Sequence, residues 1–315
     1  MLKIYRSNCT QLYELTLQTL ERGAWFNLIN PTPQELEQVA VVTGSPLDFL
    51  KAALDEEERS RIELEENHML VITNIPVLRG HDSYDALPLG IVLTTEHMIT
   101  VCLEGNEVLA DFKPENHRTF STFKKTRFLF QILYKSATLY LKYLKQINRR
   151  TDELERYLRR SMQNEEIFEL LELQKGLTYF AASLRSNGIV LEKLLRLRST
   201  SHVQHLIKMY EEDEDLLEDV IIENKQAIEM VEMYSRIMNG MMDTFTSIIS
   251  NNLNRVMKFL ASMTIILAIP TMVSSFMGMN VDVPFGQNGG FTTTLLFAAV
   301  ITALSAFGLW RKGMF

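Results

Sequence analysis

The chain has 315 residues, 46% of them apolar and 23% charged, with 32 Lys and Arg against 39 Asp and Glu and a net charge of −7. That acidic balance offers no general attraction to nucleic-acid phosphates, and the apolar fraction excludes a disordered chain. The two cysteines, Cys9 and Cys102, exclude a disulfide scaffold and form no C-x-x-C metal pair.

The N-terminal segment, residues 1–114, reads as an α/β domain with a small sheet. Its first ten residues, MLKIYRSNCT, lack an apolar run, so no signal peptide is expected. AWFNLIN, HMLVITNIPVL, PLGIVLTTE and MITVCLE are β-branched or aromatic runs of strand length. PTPQELEQVAVVTG and SPLDFLKAALDEEERS read as short helices opened by Pro31 to Pro33 and by Ser45-Pro46. There is no Gly-rich phosphate loop, no G-x-S-x-G and no H-E-x-x-H, and His68, His81 and His97 have no ligand-like spacing. No enzyme is expected, because no nucleophile–base or metal-ligand set appears.

After Pro114 no proline occurs until Pro270, which predicts continuous helix. A helical region is expected over 115–200. In it RRTDELERYLRRSMQNEEIFELLELQKGL alternates acids and bases as a solvated, ion-paired helix does. A long stalk helix is expected over 201–258. Its acidic run, Glu211 to Asp215, suits a solvated face better than a site for divalent ions. Leu217, Val220, Ala227, Val231, Tyr234, Met238, Met241, Phe245 and Ile248 form a seven-residue repeat that only Asn224 interrupts. Such a seam predicts packing on a neighbouring helix.

Two charge-free stretches close the chain, 259–277 and 291–310, of about 19 and 20 residues. Each matches the roughly 20 residues a helix needs to cross a bilayer. Arg255 and Lys258 precede the first and Arg311 and Lys312 follow the second, whereas the loop over 278–290 has no Lys or Arg. The positive-inside rule then puts both termini, including the basic tail 311–315, in the cytoplasm and the loop outside. A second stripe, stepping by fours and threes, joins Asp243, Ser247, Ser250, Asn254, Met257, Ala261, Thr264, Ala268, Thr271 and Ser275. Small and polar residues on one face suit either a close helix–helix contact or the lining of a pore built by a ring of subunits.

The first apolar stretch ends in Gly278-Met279-Asn280. A Gly-Met-Asn triplet closing the first of two C-terminal transmembrane helices, after a large cytoplasmic domain, resembles the CorA family of magnesium channels. The layout agrees over the whole chain, and the wording agrees from about Leu216 to Asn280, including Asp243 and SNNLNRVMKFL. The resemblance implies an α+β cytoplasmic domain, a stalk helix and two transmembrane helices assembled into a funnel-shaped homopentamer in the cell (inner) membrane. It also implies passive, potential-driven Mg2+ uptake, with Co2+ and Ni2+ as surrogates and no resident cofactor.

Family positions carry over one by one. Gly278, Met279 and Asn280 would form the outer mouth, and Asn254, Met257, Leu260 and Thr271 would line the pore, Met257 and Leu260 as its hydrophobic constriction. Asp243 would give an acidic ring at the cytoplasmic end. Asp219 would hold regulatory Mg2+ against a neighbouring subunit. The partner carboxylate of that site falls on Lys51, which cannot ligate a cation, so Asp48 or Asp55 would have to replace it. Two further departures are Met277 in place of an aromatic before the triplet, and Asp282 as the one acid of the outer loop. Two alternatives remain. One is a zinc transporter of ZntB type on the same architecture, carrying Zn2+. The other is a membrane-anchored coiled-coil scaffold that moves no ion.

Overall fold

The computed structural model describes residues 1–8, 11–80, 82–116, 119–159, 164–198, 203–279 and 290–314. They divide into two compact units, Met1–Met238 and Asn239–Phe315. The first is built on a seven-stranded sheet: β1 (Leu2–Ser7), β2 (Leu12–Leu15), β3 (Trp25–Ile29), β4 (Arg61–Glu65), β5 (His68–Arg79), β6 (Ser83–Thr94) and β7 (Met98–Cys102). The spatial order is β2-β1-β3-β7-β6-β5-β4, with β3 and β7 parallel and the other pairs antiparallel.

The apolar runs marked β3, β5, β6 and β7, which occupy the middle of the sheet. The expected small sheet lacks β1, β2 and β4. These are short and interleaved with charges, as in LKIYRS and RIELE, because they lie toward the edges and bury one face only.

Helix α1 (Pro33–Thr43) starts in a capping box in which Thr32 Oγ1 accepts from the Glu35 amide (3.2 Å) and Glu35 Oε2 from the Thr32 amide (2.8 Å). Glu35 Oε1 also accepts from the Leu2 amide at 2.8 Å, which fastens the helix to β1. The Thr32 amide bond leads the interactions that hold the Glu35 carboxyl below its ordinary range. Helix α2 (Leu47–Ala52) is shorter than SPLDFLKAALDEEERS suggests. The four successive acids that follow Leu54 repel one another, and Asp55 Oδ1 instead accepts from the Glu57 amide at 3.0 Å in a turn.

After a short helix α3 (Glu107–Ala110), α4 (Lys125–Leu158) and α5 (Asn164–Leu197) pack on the sheet. The charged segment 149–177 is therefore divided between the end of α4 and the start of α5. It also buries a stripe, Thr151, Leu154, Leu158, Leu170, Leu173 and Leu177, so it is more than a solvated helix. Trp25, Phe128, Tyr140, Tyr143 and Phe180 fill the core, and Trp25 Nε1 donates to Thr100 Oγ1 at 2.9 Å.

One side chain on α5 continues the sheet. Beyond Ile72 the strand β5 outruns β4, so the Asn74 peptide faces an edge with no strand beside it. Asn187 replaces that strand: its Oδ1 accepts from the Asn74 amide (2.9 Å) and its Nδ2 donates to the Asn74 carbonyl (2.8 Å). The same Oδ1 accepts from Ser60 Oγ (2.8 Å) and Thr73 Oγ1 (3.0 Å). Pro76, two residues on, points its missing N–H to the same open edge, which is why a proline is tolerated in this long strand.

Helix α6 runs from Glu211 to Met277, 67 residues, or about 100 Å at 1.5 Å per residue. It begins at Glu211 rather than at 201. Asp213 is buried there, and its Oδ2 accepts from the Tyr210 amide at 3.1 Å, closing the first turn. Helix α7 spans Gly290–Arg311. Of the apolar seam on α6, Leu217, Val220, Ala227, Val231, Met238 and Phe245 are buried, and Asn224 is buried among them.

Candidate ion pathway

Helices α6 and α7 are each long and apolar enough over one stretch to cross a membrane, and 6% of either stretch is buried within the chain. That exposure excludes the core helix of a soluble domain.

The two faces of α6 in this unit are distinct. Ser262 is fully buried, and Ile266, Ile269, Pro270, Val273 and Met277 are half-buried. On α7 the covered positions are Gly290, Thr294, Ala298, Ile301, Thr302, Ser305, Ala306 and Leu309. Both sets repeat by threes and fours and mark the faces along which the hairpin closes. Ser262 Oγ donates to the Lys258 carbonyl (2.8 Å) and reaches the Met314 carbonyl at 3.2 Å, tying the end of the chain back to α6. Sequence reasoning passed over Ser262. The available signal was a hydroxyl at helical spacing with Ile266, Ile269 and Val273.

The small and polar stripe lies elsewhere. Asp243, Asn254, Met257, Leu260, Ala261, Thr264, Ala268, Thr271 and Ser275 are all exposed in the single chain. At 100° per residue the stripe and the hairpin face sit on roughly opposite sides of the helix. The contact within the hairpin therefore does not account for the stripe.

The hydroxyls of Ser247, Thr264 and Thr271 are oriented by their own helix. Thr264 Oγ1 donates to the Leu260 carbonyl (2.8 Å), Thr271 Oγ1 to the Leu267 carbonyl (3.2 Å) and Ser247 Oγ to the Asp243 carbonyl (3.0 Å). Each hydroxyl proton is thereby engaged, and the oxygen presents lone pairs outward. A face of acceptors suits the outward-pointing hydrogens of a hydrated cation. It suits an anion badly.

At the C-terminal end of α6, the Gly278 amide bonds to the Ser274 carbonyl (2.9 Å) and the Met279 amide to the Phe276 carbonyl (3.4 Å), so the helix tightens into a turn. A Cβ on Gly278 would lie 3.1 Å from the Ser274 carbonyl oxygen, and Met279 is exposed. Asn280 lies outside the described residues.

The regulatory candidates are not gathered within one chain. Asp219 is exposed on α6, Asp48 and Lys51 are exposed on α2, and Asp55 is exposed in the following turn. Among the described residues no group of three His, Cys, Asp or Glu side chains is placed to hold a metal ion. In the acidic run, Glu212 pairs with Arg127 (2.6 Å), Glu214 with Arg198 (2.8 Å), and Asp213 caps the helix. Cys102 is buried with its thiol pushed up to about 12, chiefly by desolvation, so it is inert as a ligand.

Comparison with known proteins fixes the family. The family model described as "CorA-like Mg2+ transporter protein" matches residues 21–311. The chain belongs to the CorA-like Mg2+ transporter family. It is thus a membrane transport protein of the divalent-cation class and not an enzyme. The cobalt/magnesium transport protein CorA of Methanocaldococcus jannaschii is 27% identical to it over 303 residues, covering 93% of this chain and 91% of that one. The complete structure of the CorA magnesium transporter from the same organism superposes with a TM-score of 0.83 at 25% identity, over 100% of this chain and 99% of that one. The ZntB cytoplasmic domain of Vibrio parahaemolyticus has a TM-score of 0.61 at 13% identity, over 79% of this chain and 98% of that one, a likeness of fold alone. The α+β domain, long helix and apolar C-terminal helices thus agree with the CorA architecture.

Proposed function

We propose that this CorA-like chain assembles as a homopentamer in the cell membrane and conducts Mg2+ passively into the cytoplasm. The first apolar span, 259–277, lines the pore and the second, 291–310, faces lipid. The observation that carries this reading is the stripe from Asp243 to Ser275. It is open in the single chain, opposite the hairpin face, and made of oriented acceptor oxygens and small side chains. Symmetric copies around an axis would bring these faces together around water.

Magnesium sheds its waters reluctantly and prefers octahedral oxygen ligands. A pathway of hydroxyl and amide oxygens hydrogen-bonds the hydrated ion without stripping it, and weak sites allow it to leave. Asn280 supplies the amide ring at the outer mouth, Met257 and Leu260 the dewetting constriction, and Asp243 a carboxylate ring at the inner end. An inside-negative potential contributes about 2.3 kcal/mol per charge per 100 mV, and about twice that for a divalent ion, so no coupled energy source is required. Cytoplasmic Mg2+ closes the channel by bridging Asp219 to Asp48 or Asp55 of a neighbouring subunit. Co2+ and Ni2+ pass as surrogates. Zinc favours nitrogen and sulfur ligands, and the stripe offers neither histidine nor cysteine.

The test is divalent-ion influx into proteoliposomes under an imposed inside-negative potential, comparing wild type with Asn280→Ala. Mg2+ influx in the wild type, lost or altered in the variant, is expected. Zn2+ flux without Mg2+ flux would transfer the protein to the ZntB-type reading. Absence of both, from a verified oligomer, would leave the scaffold.

A further inference from the structure

The apolar seam of α6 is interrupted at a place where it meets a cavity. Leu217, Val220, Ala227 and Val231 are buried at spacings of three and four, and Asn224 occupies the same row at 3% exposure. Its Nδ2 donates to the Leu184 carbonyl of α5 at 3.1 Å, a group that α5 uses in its own ladder. Gly188, one turn along α5, lies against the same amide: a Cβ there would stand in ordinary contact, 3.4 Å from Asn224 Nδ2.

Beside it, α4, α5, α6 and β5 enclose a cavity of about 10 Å³ lined by Thr73, Ser136, Tyr140, Asn187 and Asn224 among apolar neighbours. That volume admits a single water. Ser136 is 2% exposed, and its hydroxyl has no hydrogen-bond partner, not even the carbonyl one turn back that a helical serine usually takes. A buried hydroxyl without a partner is costly, and one water in a polar pocket removes the cost.

We infer that this cavity holds one ordered water on Ser136, and that Asn224, held between that water and the Leu184 carbonyl, is a positioning residue that fixes the register of α6 against α5. The physical case rests on what the seam lacks elsewhere. Leu, Val and Ala at three-and-four spacing bury equally well after a slip of one turn, so apolar packing alone specifies the register weakly. A lone Asn in such a seam lowers stability but leaves only one register in which its amide is satisfied. The pairing of α5 with α6 is then one defined arrangement rather than a mixture of near-equal alternatives.

Two measurements test this on the full chain in detergent. A density map that resolves other buried waters should show one within hydrogen-bond distance of Ser136 Oγ. An empty cavity in such a map overturns the water. For the register, spin labels are placed at exposed Ala182 on α5 and Met233 on α6, in a Cys9→Ser background that keeps the unreactive Cys102. Labelled chains are diluted into unlabelled ones so that distances within a subunit are read. The wild type should give one narrow distance. Asn224→Leu, with the same side-chain branching, should keep or raise the midpoint of thermal unfolding while adding a population displaced by about one helical turn, ~5.4 Å. A wild-type distance distribution in Asn224→Leu overturns the role. So does failure of both Asn224→Leu and Asn224→Met to fold, because a register device is dispensable for stability.

Discussion

Replacing Asn187 by leucine should be among the most damaging single changes in the chain, although Asn187 is one neutral residue on a long helix. Its amide stands in for the peptide of a missing strand. Leucine, with the same side-chain branching, removes the acceptor for three donors, the Asn74 amide, Ser60 Oγ and Thr73 Oγ1, and the donor to the Asn74 carbonyl. The carbonyl retains Tyr140 Oη–H at 3.0 Å, so it is not orphaned. The Asn74 amide sits on an edge that β4 does not reach and is left unpaired, at about 1–3 kcal/mol. Each hydroxyl loses a net hydrogen bond worth about 0.5–1.5 kcal/mol. The apolar gain of a buried leucine, about 1–2 kcal/mol, offsets part of this. A net loss of about 3 kcal/mol remains.

For a unit of this size that corresponds to roughly 6–12 °C in Tm. The assay is thermal unfolding of the detergent-solubilised protein, with Asn187→Asp beside it. The aspartate keeps an acceptor for the Asn74 amide and both hydroxyls but sets a carboxylate against the Asn74 carbonyl, so it should also lose stability, and more steeply as pH rises and it ionises. If Asn187→Leu moves Tm by less than about 2 °C, the sheet edge is satisfied by water and the strand-like role of Asn187 is wrong.

Two further perturbations read the packing of the same unit. Gly176→Ala places a Cβ 2.8 Å from Tyr84 Cβ and 3.1 Å from the Tyr84 carbonyl oxygen, where neither atom can yield without moving β6. It should cost about 1–3 kcal/mol in the same melts, while Gly188→Ala, in ordinary contact, should cost little, as helix propensity favours alanine by about 1 kcal/mol. His97 is buried, its Nδ1 has no partner, and its ring stands edge-on to Phe26 at 5.5 Å; desolvation, aided by Lys125 and opposed by Glu96, holds its pKa below 6.5. The unfolded chain then binds the extra proton first, so stability should fall as pH drops below 6.5, and His97→Phe should flatten that loss while leaving the pH 8 Tm nearly unchanged.

What the sequence made legible follows from how strongly each feature is written in apolar pattern. The central strands β3, β5, β6 and β7 are buried on both sides, so AWFNLIN and MITVCLE announce themselves as continuous apolar runs. Strands β1 and β4 are half-exposed, and in LKIYRS and RIELE alternating charge masks the strand period. The two apolar spans and the buried seam from Leu217 to Met238 were visible because helical spacing survives any context. The role of Asp213 was not visible, because a cap and a solvated acid have the same composition; only the direction of the Tyr210 amide distinguishes them. Asn187 gave no signal, because its partners, Ser60, Thr73 and Asn74, are more than 100 residues away in sequence.

The stripe on α6 shows what geometry adds to the sequence pattern. Small and polar residues at three-and-four spacing serve helix contact and pore lining equally well, and spacing alone leaves the two readings balanced. The structure subtracts one of the possible contacts, the one within the hairpin. A two-helix hairpin needs one contact face on α6, and Ser262, Ile266, Ile269 and Val273 already provide it. Thr264, Ala268, Thr271 and Ser275 occupy the far side and remain open. In hydrocarbon an open row of hydroxyls gains nothing over leucine, and the protons of Thr264 and Thr271 are already engaged with backbone carbonyls. Against a water-filled axis the same row supplies acceptors at Thr264, Thr271 and Ser275. The polarity of this face is therefore excess to what the hairpin requires, and conduction of a hydrated cation is a use that its acceptor chemistry fits.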